Sequence, residues 1–95
     1  MLPIDPETAT LAQIRTAIDA IDAELAGLLE RRAALAGRVQ RLKPVGGHRG
    51  RDPEREAAIV DAMAPHAPSL SRDHLARIMN AVIEAGLDAA DPARD

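Results

Sequence analysis

The sequence predicts an all-α fold of three helices with a long first helix, two such chains intertwining as a homodimer. Three observations carry this expectation. Aliphatic residues recur every three or four positions from Leu11 to Leu42, with one break between Leu28 and Leu35, which is the repeat of one helix face. The chain is 46% hydrophobic but has no Phe, Tyr or Trp, so its core must come from Leu, Ile, Val, Ala and Met; Ala and Leu are the best helix formers. No stretch alternates apolar and polar residues as a half-buried strand does. At 95 residues the chain is expected to be a single domain over 1–95.

Helix 1 is expected over about residues 10–43. Its stripe is Leu11, Ile14, Ile18, Ile21, Leu25, Leu28, Leu35, Val39 and Leu42, a heptad-like series. Thr10 with Gln13 fits a capping box, and Asp5 followed by Pro6 is an alternative start. Pro44 stops the helix because it disfavours helical geometry at Lys43 and has no N–H to donate; Gly46 and Gly47 follow in a loop. At ~1.5 Å per residue such a helix is about 50 Å long. A globular domain of this size has a radius of gyration of only ~13 Å. The helix outruns its own domain, so its far end needs a second chain to cover the apolar stripe.

Helix 2, about 53–64, opens with Asp52 as N-cap, Pro53 in the first helical position and Glu54 in the first turn. Ile59, Val60 and Met63 form its apolar face, and Pro65 and Pro68 end it. Helix 3, about 72–88, begins near Ser71 and carries Leu75, Ile78, Met79, Val82, Ile83 and Leu87 as its stripe. Residues 89–95 read as a fraying tail.

Composition narrows the function. With no cysteine, disulfides, thiolate catalysis and Cys-based zinc sites are excluded. His48, His66 and His74 lack metal-ligand spacing, so no metal is expected. A net charge of −3 and the absence of aromatic stacking platforms argue against nucleic acid as a partner. The N-terminal residues lack the basic start and apolar core of a signal peptide, and no apolar run approaches the ~18 residues of a membrane span. A cytoplasmic location without membrane association is therefore expected.

The informative break is Arg32, which stands in the helix 1 stripe between Leu28 and Leu35 where an apolar residue is due. A buried guanidinium is costly unless a partner compensates it. It either snorkels from the edge of the stripe, pairs with Glu30 or Glu56, or serves a ligand. Lys43 follows eleven residues later, three turns on and nearly on the same face. Arg15 flanks the stripe at the other end, too far along the helix to meet Lys43 within one chain. In an antiparallel dimer, Arg15 of one chain would complete a pocket made by Arg32 and Lys43 of the other. Three converging cations require an anion, and a small di-acid suits them because Arg grips a carboxylate bidentately. Asp52 and Glu56, four apart at the start of helix 2 beside Arg55, read either as capping plus a surface pair or as acceptors for a ligand hydroxyl. No nucleophile stands near them to be activated.

Taken in order, these residues resemble the all-helical chorismate mutase family. The matching stretches are Ile14-Arg15-x-x-Ile18-Asp19-x-Ile21-Asp22, Leu28-Leu29-Glu30-Arg31-Arg32, Val39-x3-Lys43, Arg51-Asp52-Pro53-x-Arg55-Glu56 and Ile78-x4-Ile83-Glu84-Ala85-Gly86-Leu87. The resemblance implies an isomerase that rearranges chorismate to prephenate in the shikimate pathway to phenylalanine and tyrosine, with no cofactor. It implies a homodimer in which Arg15 reaches across to one substrate carboxylate and Arg32 binds the other. Lys43 would contact a carboxylate and the ether oxygen. Asp52 and Glu56 would hold the ring hydroxyl, supported by Arg55. Lys43, Arg32 and Glu56 are the expected catalytic set. Three positions differ from the common pattern: Ala90 stands where many members have Gln or Glu, Gly86 where many have Ser, and Pro44 directly follows Lys43.

Other readings stay open at the level of sequence. For a relative acting on 4-amino-4-deoxychorismate, the amine would suit Asp52 and Glu56 better than a ring hydroxyl does, and an isochorismate-pyruvate lyase would share the scaffold. A non-catalytic helical dimer would use Arg32 only to specify its seam. A requirement for a partner synthase is not legible in the sequence.

Overall fold

The computed structural model describes residues 5–42 and 51–90, so Lys43 and the Pro44–Gly47 stretch fall outside the described residues. Among the described residues the chain is all-helical, without strands. α1 runs Leu11–Leu42, α2 Pro53–Met63 and α3 Arg72–Ala90, with a 3-10 turn at Ala64–His66 after α2. The chain divides into two units, Met1–Arg31 and Arg32–Asp95.

In the first unit the capping box is present and sets where α1 starts. Gln13 N donates to Thr10 Oγ1 at 3.1 Å and Thr10 N donates back to Gln13 Oε1 at 2.9 Å. Two of the amides that a helix N-terminus leaves without partners are thereby satisfied. Asp5, the alternative start, instead organises a turn: its Oδ1 accepts from Glu7 N at 3.0 Å and its carbonyl from Ala9 N at 2.9 Å. The stripe residues Leu11, Ile18, Ile21, Leu25 and Leu28 are all exposed, Leu11 by 63%, and so is Leu29 beside them.

The second unit holds the last turns of α1, then α2 and α3. Asp52 is extended (φ −132°, ψ 96°), and its Oδ1 accepts from Arg55 N at 3.1 Å, capping α2 with Pro53 behind it. α2 gives way to the 3-10 turn because Pro65 has no amide to continue the ladder. Ser71 caps α3, its Oγ accepting from His74 N at 3.1 Å. α3 continues to Ala90, two residues beyond the expected end at 88. Ala89 and Ala90 are strong helix formers, and no helix breaker precedes Pro92.

Val60, Leu75 and Met79 form the buried core between α2 and α3, flanked by Ile59, Met63, Ala64, Ala76 and Val82. Small residues bring α3 close to the end of α1. Gly37 and Gly86 are buried; a Cβ on Gly86 would lie 3.9 Å from Ala36 Cβ, and one on Gly37 would lie 3.6 Å from Ala90 Cβ. Ala90 is thus packed against Gly37. Leu35, Val39 and Leu42 on α1 remain exposed, at 69%, 53% and 66%.

Candidate functional site

Within the second unit, the close approach of α1 and α3 leaves a cleft floored by the start of α2. It has a volume of about 480 Å³ and is lined by Arg32, Leu35, Ala36, Val39 and Gln40 of α1, Asp52 at the cap, Arg55, Glu56 and Ile59 of α2, and Ile83 and Leu87 of α3. That volume falls within the roughly 300–1,000 Å³ of small-molecule sites, and the mixture of apolar walls with a few polar groups is their usual lining.

Four of the six residues singled out from the sequence, Arg32, Asp52, Arg55 and Glu56, therefore line one cavity. Arg15 lies in the first unit with an exposed side chain. Lys43 is outside the described residues.

Arg32 is half-buried at the cavity wall. Among the described residues it makes no hydrogen bond or ion pair; Glu56, one of the partners considered for it, is held by another arginine. A guanidinium that is partly withdrawn from water and faces an apolar cleft is poised for an anion. Arg55 also faces the cleft, with no side-chain partner among the described residues. Asp52 spends Oδ1 on the Arg55 amide and keeps Oδ2 open.

Arg51 has a place here that its position in the sequence does not announce. Its Nε donates to Glu56 Oε2 at 2.6 Å and its Nη2 to Glu56 Oε1 at 2.7 Å, a bidentate fork. Nη2 also donates to Asn80 Oδ1 at 2.8 Å, and Nη1 to Glu84 Oε2 at 2.5 Å, both on α3. The fork holds the Glu56 carboxyl below the usual carboxylate range, outweighing burial, which pushes it up. Glu56 Oε2 also accepts weakly from Asp52 N at 3.4 Å. The sequence signals were faint: Asn80 and Glu84 are four apart on α3, one turn, and Arg51 directly precedes a cap.

Among the described residues no cluster of His, Cys, Asp and Glu fits a metal ion, and no helix is long and apolar enough to cross a membrane. The family model described as chorismate mutase type II matches residues 14–90, which takes in Arg15, Lys43 and every polar residue lining the cleft. No curated protein and no solved structure matches the chain.

Proposed function

The chain belongs to the chorismate mutase type II family, and from that membership we propose that it rearranges chorismate to prephenate in a cleft completed by a second copy of itself. The observation that carries the reading is Arg32: a half-buried cation without a partner among the described residues, in a largely apolar cleft that Asp52 and Glu56 also line. Chorismate is a di-acid bearing a ring hydroxyl, so it brings anions to the arginines and a donor to Asp52 and Glu56.

The reaction is an intramolecular pericyclic rearrangement and needs no nucleophile. The protein has to hold a flexible di-acid in its compact reactive conformer. It also has to place positive charge where negative charge grows on the ether oxygen as the C–O bond breaks. Arg32 grips one carboxylate. Asp52 Oδ2 and Glu56 accept from the ring hydroxyl, and Arg55 supports the Asp52 cap through its own amide. Lys43 stands four positions after Val39 and three after Gln40, both of which line the cleft. It is assigned to the ether oxygen, where a cation gains most in the transition state.

The second carboxylate falls to Arg15 of a partner chain. Dimerisation is supported by the exposed stripe residues from Leu11 to Leu28 in the first unit and by Leu35, Val39 and Leu42 in the second. Contiguous exposed aliphatic side chains of this kind mark a surface that another protein covers. In this reading the second copy covers the stripe, and its Arg15, exposed in the first unit, serves the neighbour's site.

The open acceptors on Asp52 and Glu56 also favour an amine in place of the hydroxyl, which makes 4-amino-4-deoxychorismate the second reading. Incubating the purified protein separately with chorismate, 4-amino-4-deoxychorismate and isochorismate, and identifying the products, tests both. Prephenate from chorismate is the expected outcome. Consumption of the amino analogue alone would select the second reading, and inertness toward all three would overturn the assignment.

A further inference from the structure

Arg51 does not line the cleft, yet it bonds both oxygens of a residue that does. A carboxylate has about four acceptor positions, two on each oxygen. On Glu56, Oε2 takes Arg51 Nε and Asp52 N, and Oε1 takes Arg51 Nη2. Among the described residues this leaves one acceptor position open, and it belongs to Oε1. The same guanidinium is tied to Asn80 and Glu84 one turn apart on α3, so its own plane is fixed by a second helix. Arg51 and Glu56 are both largely enclosed, at 20% and 23% exposure, which shields the pair from competing water.

We propose that Arg51 is a positioning residue for the reaction: by clamping Glu56 against α3, it presents a single oriented acceptor oxygen to the cleft, and the ligand must meet it with a hydrogen-bond donor. The inference rests on the substrate reading above, in which that donor is the ring hydroxyl. A carboxylate free to rotate or to pick up a proton would accept a hydroxyl less well and tolerate a ligand lacking one. Arg51 removes both freedoms. It also stands between Glu56 and Glu84, two carboxylates that would otherwise repel each other.

The charged groups around Glu56 define what its titration should do. Arg51 and Asp52 precede it, Arg55 is its neighbour, Arg32 shares the cleft from α1, and Glu84 and Arg72 belong to α3. Removing Arg51 takes away the hydrogen bonds and the charge that lower the Glu56 carboxyl most, and leaves burial to push it upward against the weaker bond from the Asp52 amide.

The test uses the full chain with Arg51→Gln and Arg51→Lys. The Glu56 carboxyl is titrated by carbon-detected NMR without ligand, and kcat and KM for chorismate are measured against pH. In the parent, Glu56 should titrate below the ordinary carboxylate range. In Arg51→Gln it should titrate at or above that range. KM should rise about tenfold, the equivalent of one hydrogen bond to a charged group, and rise further as pH falls, with a smaller change in kcat. Arg51→Lys returns the charge without the fork. It should restore most of the titration shift but only part of KM. If Arg51→Gln does not fold, the lysine variant alone decides through that split.

An unchanged Glu56 titration in Arg51→Gln refutes the proposal, and so does an Arg51→Lys chain whose KM equals the parent's. So does a loss of thermal stability and kcat with an unaltered pH dependence of KM, which would make Arg51 a purely structural staple. If the parent protein turns over no chorismate, the substrate reading fails separately, and the ligand-free titration still decides whether Arg51 governs Glu56.

Discussion

Arg32→Leu separates a binding site from a helical seam. The leucine continues the α1 stripe between Leu28 and Leu35, and among the described residues the native guanidinium has no bond to lose. Leucine would also be half-buried, and since full burial of such a side chain contributes ~1.5–3 kcal/mol, the fold should be unchanged or about 1 kcal/mol more stable. Turnover should behave in the opposite way. A guanidinium–carboxylate fork is two charge-assisted hydrogen bonds of ~1.5–3 kcal/mol each, about 3–6 kcal/mol together. At ~1.4 kcal/mol per factor of ten, kcat/KM should fall by roughly 10²–10⁴. The assay is loss of chorismate ultraviolet absorbance, helped by a protein with no aromatic side chain of its own, alongside thermal unfolding at matched concentration. A variant that keeps kcat/KM within about threefold of the parent while melting higher would refute the reasoning. Arg32 would then be a specificity device in a helical interface.

Three further outcomes are expected. Gly86→Ala should stabilise the fold by about 0.5–1 kcal/mol, read as a higher melting temperature at equal concentration, because its Cβ would meet Ala36 and Ala33 only at ordinary contact distances of 3.9 and 4.0 Å. A lower melting temperature would mean that the α1–α3 contact is tighter than these distances indicate. Because the Glu56 carboxyl is depressed in the folded state, its stabilising contribution is present above the unfolded carboxylate pKa and is lost as pH falls through the folded value. Acid unfolding of Glu56→Gln should accordingly lack that part of the pH dependence. Mixing an inactive Arg15→Ala chain with an inactive Lys43→Ala chain should restore activity through about one intact site per heterodimer. If none returns after re-association, Arg15 does not act across chains.

The family match and the helices reward a reading based on local patterns. The Thr10–Gln13 box, the Asp52–Pro53 start and the prolines after α2 act through the backbone within a few residues, so their signals survive without tertiary context. The roles proposed for Lys43 and Arg15 follow from the family pattern and not from local rules, because each depends on groups far along the chain or on a second copy of it.

What the chain by itself determined is where helices begin and end, which faces are apolar, and that a cation at Arg32 interrupts one of them. These follow from periodicity, capping and the missing amide of proline. Only the tertiary structure decided that Arg32, Asp52, Arg55 and Glu56 share a cleft, that Ala90 packs on Gly37, and that Arg51 rather than Arg32 holds Glu56. The reason is range: Arg51 meets Asn80 and Glu84 29 and 33 residues away, and no local rule reports which distant helix a side chain will reach.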